Sequence, residues 1–320
     1  MVESVKRIFI SVGVLPFLLV ALIVLFSLAE SRFMTLSNMM TVSRQATYLV
    51  MVTCGQMITI LCAGFDLSVG SSVALTSIVT AHTIISLPHP AGGITAGVLV
   101  GVATGTALGA VNGITISLFR VSPFVVTLGM MSVAHGMALL ISGGVPIFNL
   151  PDQFNEYLAI GRLCGIPVPL FVASFVVIAI YIMLTRTRVG RYFYAIGGNE
   201  EAARLSGIHV KKYNCLAYIL CGALAGLTGV MLTARVASGE PNLGAALPLE
   251  SIAAAVIGGV SLRGGEGNVI GAIFGAILIV LIRNGMDLMN VSSYLQMVVM
   301  GCLLVFAVVM DQFRLSLKGR

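Results

Sequence analysis

Asp66 is the residue with the clearest chemical potential. It is the only acidic residue between Glu30 and Asp152, and it sits in Gly64-Phe65-Asp66-Leu67-Ser68-Val69-Gly70, between two apolar runs. A carboxylate at membrane depth is costly and by default marks a functional site. Two roles are open to it. As a titrating group it would couple solute movement to protons. As a cap it would accept from the free N–H groups of a helix entering at Leu67, and its place at a span boundary favours this role. No other ionisable residues form a constellation. Cys54, Cys62, Cys164, Cys215, Cys221 and Cys302 contain no C-x-x-C pair, and five of the six lie in apolar runs, as small buried hydrophobes do. His82, His89, His135 and His209 are scattered and form no H-E-x-x-H. Met130, Met131, His135 and Met137 read as packing, so no metal site is expected. No Ser/His/Asp set or carboxylate pair can be assembled, and an enzyme is not indicated.

Nucleotide chemistry is tested by the lysines. Lys6, Lys211, Lys212 and Lys318 are the only ones, and none stands in G-x-x-x-x-G-K-[ST]. The chain therefore has no P-loop of its own. Gly258-Gly259 and Gly264-Gly265-Glu266-Gly267, with Ser261 between them, look like a phosphate cradle but lack the flanking strand. Close backbone packing or an unwound pore segment fits them better.

These residues must be positioned by elements. The longest polar interval is Arg186–Tyr213. Within it Gly197-Gly198 reads as a chain break and Asn199 as an N-cap. Glu200 and Glu201 suit the positive end of a helix dipole. Ala202, Ala203, Arg204 and Leu205 are strong helix formers, and Ser206-Gly207 supplies a left-handed stop. The spacing predicts a two-turn helix over Glu200–Ser206. A helix that short is marginal alone in water, which points to a protein docking on it.

Elsewhere the chain is apolar. Charged residues make up 9% and hydrophobic ones 58%, against roughly 25% charged in soluble domains. The expected fold is an all-α polytopic membrane protein, a single transmembrane domain over residues 1–320. Apolar runs read as about ten spans, some broken or re-entrant: Ile8–Ala29, Ala46–Ala63, a run after Ser72 to Leu87, Gly93–Phe119, Pro123–Ser142, Leu170–Thr185, Asn214–Ala234, the short Leu249–Leu262, Val269–Ile282 and Tyr294–Met310. Gly97, Gly101, Gly105 and Gly109 recur every fourth residue and line one helix face, the pattern that lets membrane helices approach closely.

The net charge of +6 sits in short loops with no continuous basic face, which argues against nucleic acid. With both termini cytoplasmic, thirteen Lys and Arg fall inside and five (Arg32, Arg44, Arg162, Arg235 and Arg283) outside. That bias places Arg186–Tyr213 in the cytoplasm. Gly64–Gly70 and Gly259–Gly265 share glycine, leucine and glycine at matching positions. Paired interrupted segments in two halves of a chain point to a transport pathway.

Four segments together resemble ribose-type permeases of bacterial ATP-binding-cassette (ABC) sugar importers. Gly64–Gly70 resembles that family's G-[IFM]-D-L-S-V-G signature. Ser122-Pro123-Phe124 through Thr127-Leu128-Gly129 resembles its P-x-F-I-x-T-L-G stretch. Ala195-Ile196-Gly197-Gly198-Asn199 with Ala202-Ala203 and Ser206-Gly207-Ile208 resembles its cytoplasmic coupling segment. Val256-Ile257-Gly258-Gly259 through Gly264-Gly265-Glu266-Gly267 resembles its V-I-G-G-x-S-x-x-G-G-x-G block. The resemblance implies a multi-pass protein of the bacterial inner membrane that moves a monosaccharide or polyol. It implies four partners: a separate cytoplasmic ATPase that binds ATP and Mg, a periplasmic solute-binding protein, a second copy or a homologous permease, and the sugar. Residues 198–207 would couple to the ATPase. Gly64, Phe65, Asp66, Leu67, Ser68 and Gly70, with Gly258, Gly259, Ser261, Gly264, Gly265 and Gly267, would belong to the pathway wall. A nucleoside permease of the same superfamily and a proton-coupled secondary transporter using Asp66 are the alternatives.

Overall fold

The computed structural model describes residues 15–317. The polar leader Met1–Arg7, the first residues of the expected first span, and Lys318 and Arg320 lie outside the described residues. The described chain is a bundle of helices. In order they are α1 (Leu15–Ala29), α2 (Leu36–Leu61), α3 (Val69–Ser86), α4 (Pro90–Phe119), α5 (Pro123–Ser142), α6 (Asp152–Asn155), α7 (Val168–Arg186), α8 (Arg188–Gly198), α9 (Glu200–Leu205), α10 (Val210–Val236), α11 (Leu247–Ile257), α12 (Val269–Leu288) and α13 (Ser293–Leu317). Between α6 and α7 lie a π-helical turn, Glu156–Ile160, and a small hairpin of β1 (Arg162–Leu163) and β2 (Ile166–Pro167). Among the described residues six helices (α3, α4, α5, α7, α10 and α12) are long and apolar enough to cross a membrane. The apolar stretches of α1, α11 and α13 are shorter.

Helix α2 is the central pillar. Every residue from Ala46 to Leu61 is buried, so the helix is enclosed on all sides, as a helix that is apolar all round must be. It packs against α7, α10, α11 and α12. Its polar first third, expected as loop as far as Gln45, is helical instead. Thr35 caps it by accepting from the Asn38 N–H. Asn38 and Asn284 of α12 then exchange side-chain hydrogen bonds at 2.8 and 2.9 Å, which gives polar residues on both helices a partner.

The glycine periodicity of α4 is used as the spacing predicts. Gly97, Gly101, Gly105, Gly109 and Gly113 are all buried. A Cβ on Gly105 would lie 2.6 Å from Gly226 Cα in α10, and one on Gly222 would lie 2.8 Å from Gly109 Cα. Backbones of α4 and α10 therefore touch directly, and no larger side chain fits between them. By contrast α5 buries only Thr127, Ala134 and Ala138. The bundle thus has a dense centre of α2, α3, α10 and α12, with α4 packed on it by its glycine face and α5 at its edge.

The interval 186–213 holds more structure than the sequence suggests. Gly197-Gly198, expected to break the chain, instead ends α8, an amphipathic helix that buries Gly190, Phe193 and Ile196. Tyr213 closes over this face, with its ring 4.8 Å from Tyr192 and 6.5 Å from Phe193.

Candidate translocation core and coupling face

The loop between α2 and α3 is largely buried, and the Ala63, Gly64 and Ser68 N–H groups donate to Ile60 C=O, Thr59 C=O and Asp66 Oδ1. Gln56 of α2, with its amide turned to satisfy its neighbours, accepts from the Asp66 N–H at 3.0 Å and donates to the Asp66 C=O at 3.2 Å. It stands in for the strand or helix neighbour that this peptide lacks, which is the condition for irregular backbone inside a membrane protein. The Asp66 side chain is 2% exposed. Its Oδ1 accepts from the Ser68 N–H at 2.8 Å and from the Ser68 hydroxyl at 2.6 Å. Asn112 of α4 donates through Nδ2 to Ser68 Oγ at 2.9 Å and to Asp66 Oδ2 at 3.4 Å.

The expected helix entry at Leu67 is therefore displaced. Helix α3 begins at Val69, and Ser68 occupies the N-cap position without a side-chain cap bond. Asp66 braces the turn two residues ahead of the cap, the local bonding habit of Asp in tight turns. Phe65 meets Phe124 edge-on at 6.3 Å. Leu67 packs with Phe65 against Ile252 and Val256 of α11. A Cβ on Gly70 would lie 2.6 Å from the Gly244 carbonyl oxygen and 2.9 Å from Pro248. The start of α3 thus presses on the segment leading into α11.

The second glycine block meets the end of α2 and Ala63, the residues that lead into the first. Gly265 N–H donates to the Leu61 carbonyl at 3.0 Å. A Cβ on Gly264 would lie 2.9 Å from Ala63 Cβ, and Gly264 and Gly265 have φ of +87° and +72°, a region open to glycine. Gly258 lies against Gly271 of α12, and Ser261 donates its N–H to Glu266 C=O at 2.9 Å. Gly259 and Gly267 complete the block, and the Tyr194 hydroxyl of α8 donates to the Gly267 carbonyl at 2.9 Å. From α13, Asp311 accepts from the Leu262 N–H at 3.2 Å.

Helix α9 joins this junction at one edge. Gly198 lies beside Gly265, whose added Cβ would approach Gly198 N to 2.6 Å. Both ends of α9 are built as their residues dictate. Asn199 Oδ1 accepts from Ala202 N–H at 2.9 Å. At the other end Ile208 N–H reaches Ala203 C=O at 3.1 Å and Gly207 N–H reaches Arg204 C=O at 3.0 Å, with Gly207 at φ +83°. That pair of bonds closes the helix in the Schellman manner. Helix α9 ends at Leu205, and Ser206 is its C-cap. Glu201 pairs with Arg204, which holds its carboxyl below the usual range by hydrogen bonding. Only Ala203 is buried, and Leu205 is 76% exposed. The helix presents Glu200, Glu201, Ala202, Arg204 and Leu205 outward on a capped frame. Beside it, a depression of about 200 Å³ opens between Gly197-Gly198 and the loop carrying Arg263 and Glu266.

Several residues of this core escaped the sequence reading. Asn112 continues the α4 glycine face three residues after Gly109, and that register was a usable signal. Gln56 is a lone amide in an apolar run, which was another. Tyr218, whose hydroxyl points at Gly64 and has no hydrogen-bond partner, gave none. Glu250, which pairs with Arg283 at 2.5 Å, was also missed, because its position in an apolar run reads as the edge of a loop.

Apolar helices packed around a broken-backbone junction define the class: a multi-pass membrane protein. Residues 38–308 match the family described as branched-chain amino acid transport system / permease component, and the chain belongs to it. It is similar to the ribose import permease protein of Escherichia coli strain K12, at 39% identity over 303 residues, covering 92% of each chain. It is 36% identical over 298 residues to the D-allose transport system permease protein of the same strain, covering 92% of this chain and 90% of that one. To that strain's L-arabinose transport system permease protein it is 34% identical over 287 residues, covering 90% and 86%. No solved structure matches the chain. Family and helices together make it a multi-pass inner-membrane ABC transporter permease.

Proposed function

We propose that this chain is the membrane-spanning subunit of an ABC importer for a monosaccharide. The observation that carries this reading is its similarity, over about nine tenths of its length, to permeases named for ribose, allose and arabinose. A separate ATPase would bind ATP and Mg and dock on residues 198–207 at the cytoplasmic face. A solute-binding protein would deliver the sugar at the opposite end. A second copy or a homologous permease would complete the pathway.

The mechanism is alternating access. Movement of α9 reaches the glycine block through Gly198 and Gly265. The bond from Gly265 to Leu61 carries it to the end of α2, and Ala63 carries it to the Asp66 turn at the head of α3. Gly264, Gly265 and Gly70 sit where helices and loops meet without intervening side chains, so small rotations there shift whole helices. Asp66, bonded to Ser68 and Asn112, keeps the α3 entry rigid while this happens.

The test is uptake into vesicles containing this chain, its ATPase and its binding protein, with labelled ribose, allose, arabinose and uridine. ATP-dependent accumulation of one sugar is the expected result. Accumulation of uridine instead would move the substrate to nucleosides. Uptake driven by a proton gradient without the ATPase would overturn the reading and return Asp66 to proton coupling.

A further inference from the structure

Helix α7 lies at the edge of the bundle and ends on charge. Phe171, Phe175, Ile178 and Ile182 recur every three or four residues and are all exposed, so they form one apolar stripe along the helix. The 19 residues of α7 rise about 28 Å at 1.5 Å per residue, close to the ~30 Å of hydrocarbon in a bilayer. Arg186 follows Ile182 by four residues and ends the helix. It therefore stands where hydrocarbon gives way to headgroups.

Helix α8 then turns across the end of the bundle. A Cβ on Gly190 would lie 2.5 Å from Leu184 Cα, so α8 folds back against the end of α7. Thr187 fixes the bend: its hydroxyl donates to the Met183 carbonyl at 2.6 Å and accepts from the Gly190 N–H at 3.3 Å. At the far end Gly197 lies against the Leu61 carbonyl, at the end of α2. Helix α8 thus runs from the exposed edge to the central pillar, and α9 follows it directly. Arg188 and Arg191 are on its exposed side. The contact of Tyr192 with Tyr213 brings the start of α10 alongside, with Lys211 and Lys212 exposed. Tyrosine is favoured at headgroup depth. Residues 186–213 hold six basic residues against two carboxylates, Glu200 and Glu201, both on α9, and Glu201 is taken by Arg204. Arg186, Arg188, Arg191, Lys211 and Lys212 make no ion pair among the described residues.

We propose that this basic rim binds the phosphate headgroups of anionic phospholipids, and that these lipids hold α8, and with it the base of α9, in place. Basic clusters at the end of a span attract an anionic leaflet, and the arginine forks suit phosphate oxygens. Position selects the occupant. The rim begins where the exposed apolar stripe of α7 ends, so a lipid whose chains cover Phe175 and Ile182 carries its phosphate to Arg186 and Arg188. The inference rests on the importer reading only for the side of the membrane on which the rim stands.

The chain contains no tryptophan, so Thr185→Trp, at an exposed position in the last turn of α7, gives a single fluorescent probe at the rim. The full chain carrying it is reconstituted in phosphatidylcholine vesicles with a minor share of either brominated phosphatidylglycerol or brominated phosphatidylcholine. Stronger quenching by the phosphatidylglycerol is expected, and the excess should shrink as salt rises. Arg188→Gln or Lys211→Gln alone should lower this preference by up to about fivefold, the factor for one basic residue at an anionic surface. The quadruple variant Arg188→Gln/Arg191→Gln/Lys211→Gln/Lys212→Gln should lose it, and Arg188→Lys/Arg191→Lys should keep it. Phosphatidylglycerol should also raise the thermal midpoint of the wild type and leave that of the quadruple variant unmoved. Equal quenching by the two lipids at low salt, before any rim residue is changed, overturns the proposal. So does a preference that the quadruple variant keeps, and if that variant also loses the ATPase on co-purification, the rim belongs to the ATPase instead. A midpoint raised as much by inorganic phosphate in pure phosphatidylcholine overturns the lipid as the source. Absence of ATP-driven uptake by the wild type would sink the importer reading alone, since the quenching needs neither ATP nor a partner.

Discussion

Asp66 does its structural work through acceptor atoms. Oδ1 takes both bonds from Ser68, and an asparagine can offer the same oxygen, giving up only the long 3.4 Å contact from Asn112 Nδ2 to Oδ2. Asp66→Asn is therefore expected to insert, fold and transport within a few-fold of wild type, with an unchanged pH profile of uptake. Asp66→Ala strands a buried N–H and hydroxyl, and a group left unsatisfied in this way costs about 1–3 kcal/mol. Its unfolding midpoint in detergent should fall accordingly. If Asp66→Asn abolishes transport and the loss tracks the proton gradient, titration is the function and the bracing role is secondary. Glu250 poses the same kind of question. Arg283→Gln leaves a carboxylate that is 7% exposed without its cation, which is itself half-exposed, and a buried charge left unpaired is destabilising. The double variant Glu250→Gln/Arg283→Gln should recover much of the lost midpoint. A double variant no better than Arg283→Gln alone would mean that the pair does not stabilise the fold.

At the scale of elements, the α4–α10 crossing and α9 carry the account. Gly105→Ala would put a methyl against the backbone of α10, and overpacking of this kind costs about 1–3 kcal/mol or more. Gly301→Ala meets nothing within 4 Å and should be neutral. Equal thermal midpoints for the two would show that the helices separate easily there. Much of this was legible in the sequence. Four glycines at a spacing of four residues announce a shared face. Asn199, Glu200-Glu201 and Ser206-Gly207 announce both ends of a short helix, because capping is local chemistry. Helix α8 was not legible, because Gly197-Gly198 reads as a break and only tertiary contact with Tyr213 and the core reveals its buried face. The first third of α2 was hidden for a similar reason: Asn38 looks like loop until Asn284 is seen opposite it. The Asp66 turn was legible in kind but not in register, since the two-residue shift of α3 depends on Gln56 and Asn112, far away in the chain.

At the scale of the whole molecule, two surfaces bear on the partners proposed above. One is α5, whose Gly129 and Gly136 lie seven residues apart, on one face, with open space at both. Small residues there permit close approach of a second helix. In a chain whose native cysteines are replaced, Gly129→Cys or Gly136→Cys should give a cross-linked dimer in membranes under mild oxidation. A product that stays monomeric at both positions would place the second permease elsewhere. The other surface is α9, a frame capped at both ends that offers Leu205 outward beside the glycine depression. The account stands or falls on what binds there. The deciding measurement is co-purification of the partner ATPase with this chain from detergent-solubilised membranes, compared with a chain in which residues 200–206 are a Gly/Ser linker and with Gly207→Val. The account predicts that the wild type retains the ATPase, that the linker chain loses it while still inserting, and that Gly207→Val, denied the left-handed turn, retains it weakly and uncouples transport. Full retention of the ATPase by the linker chain would contradict it.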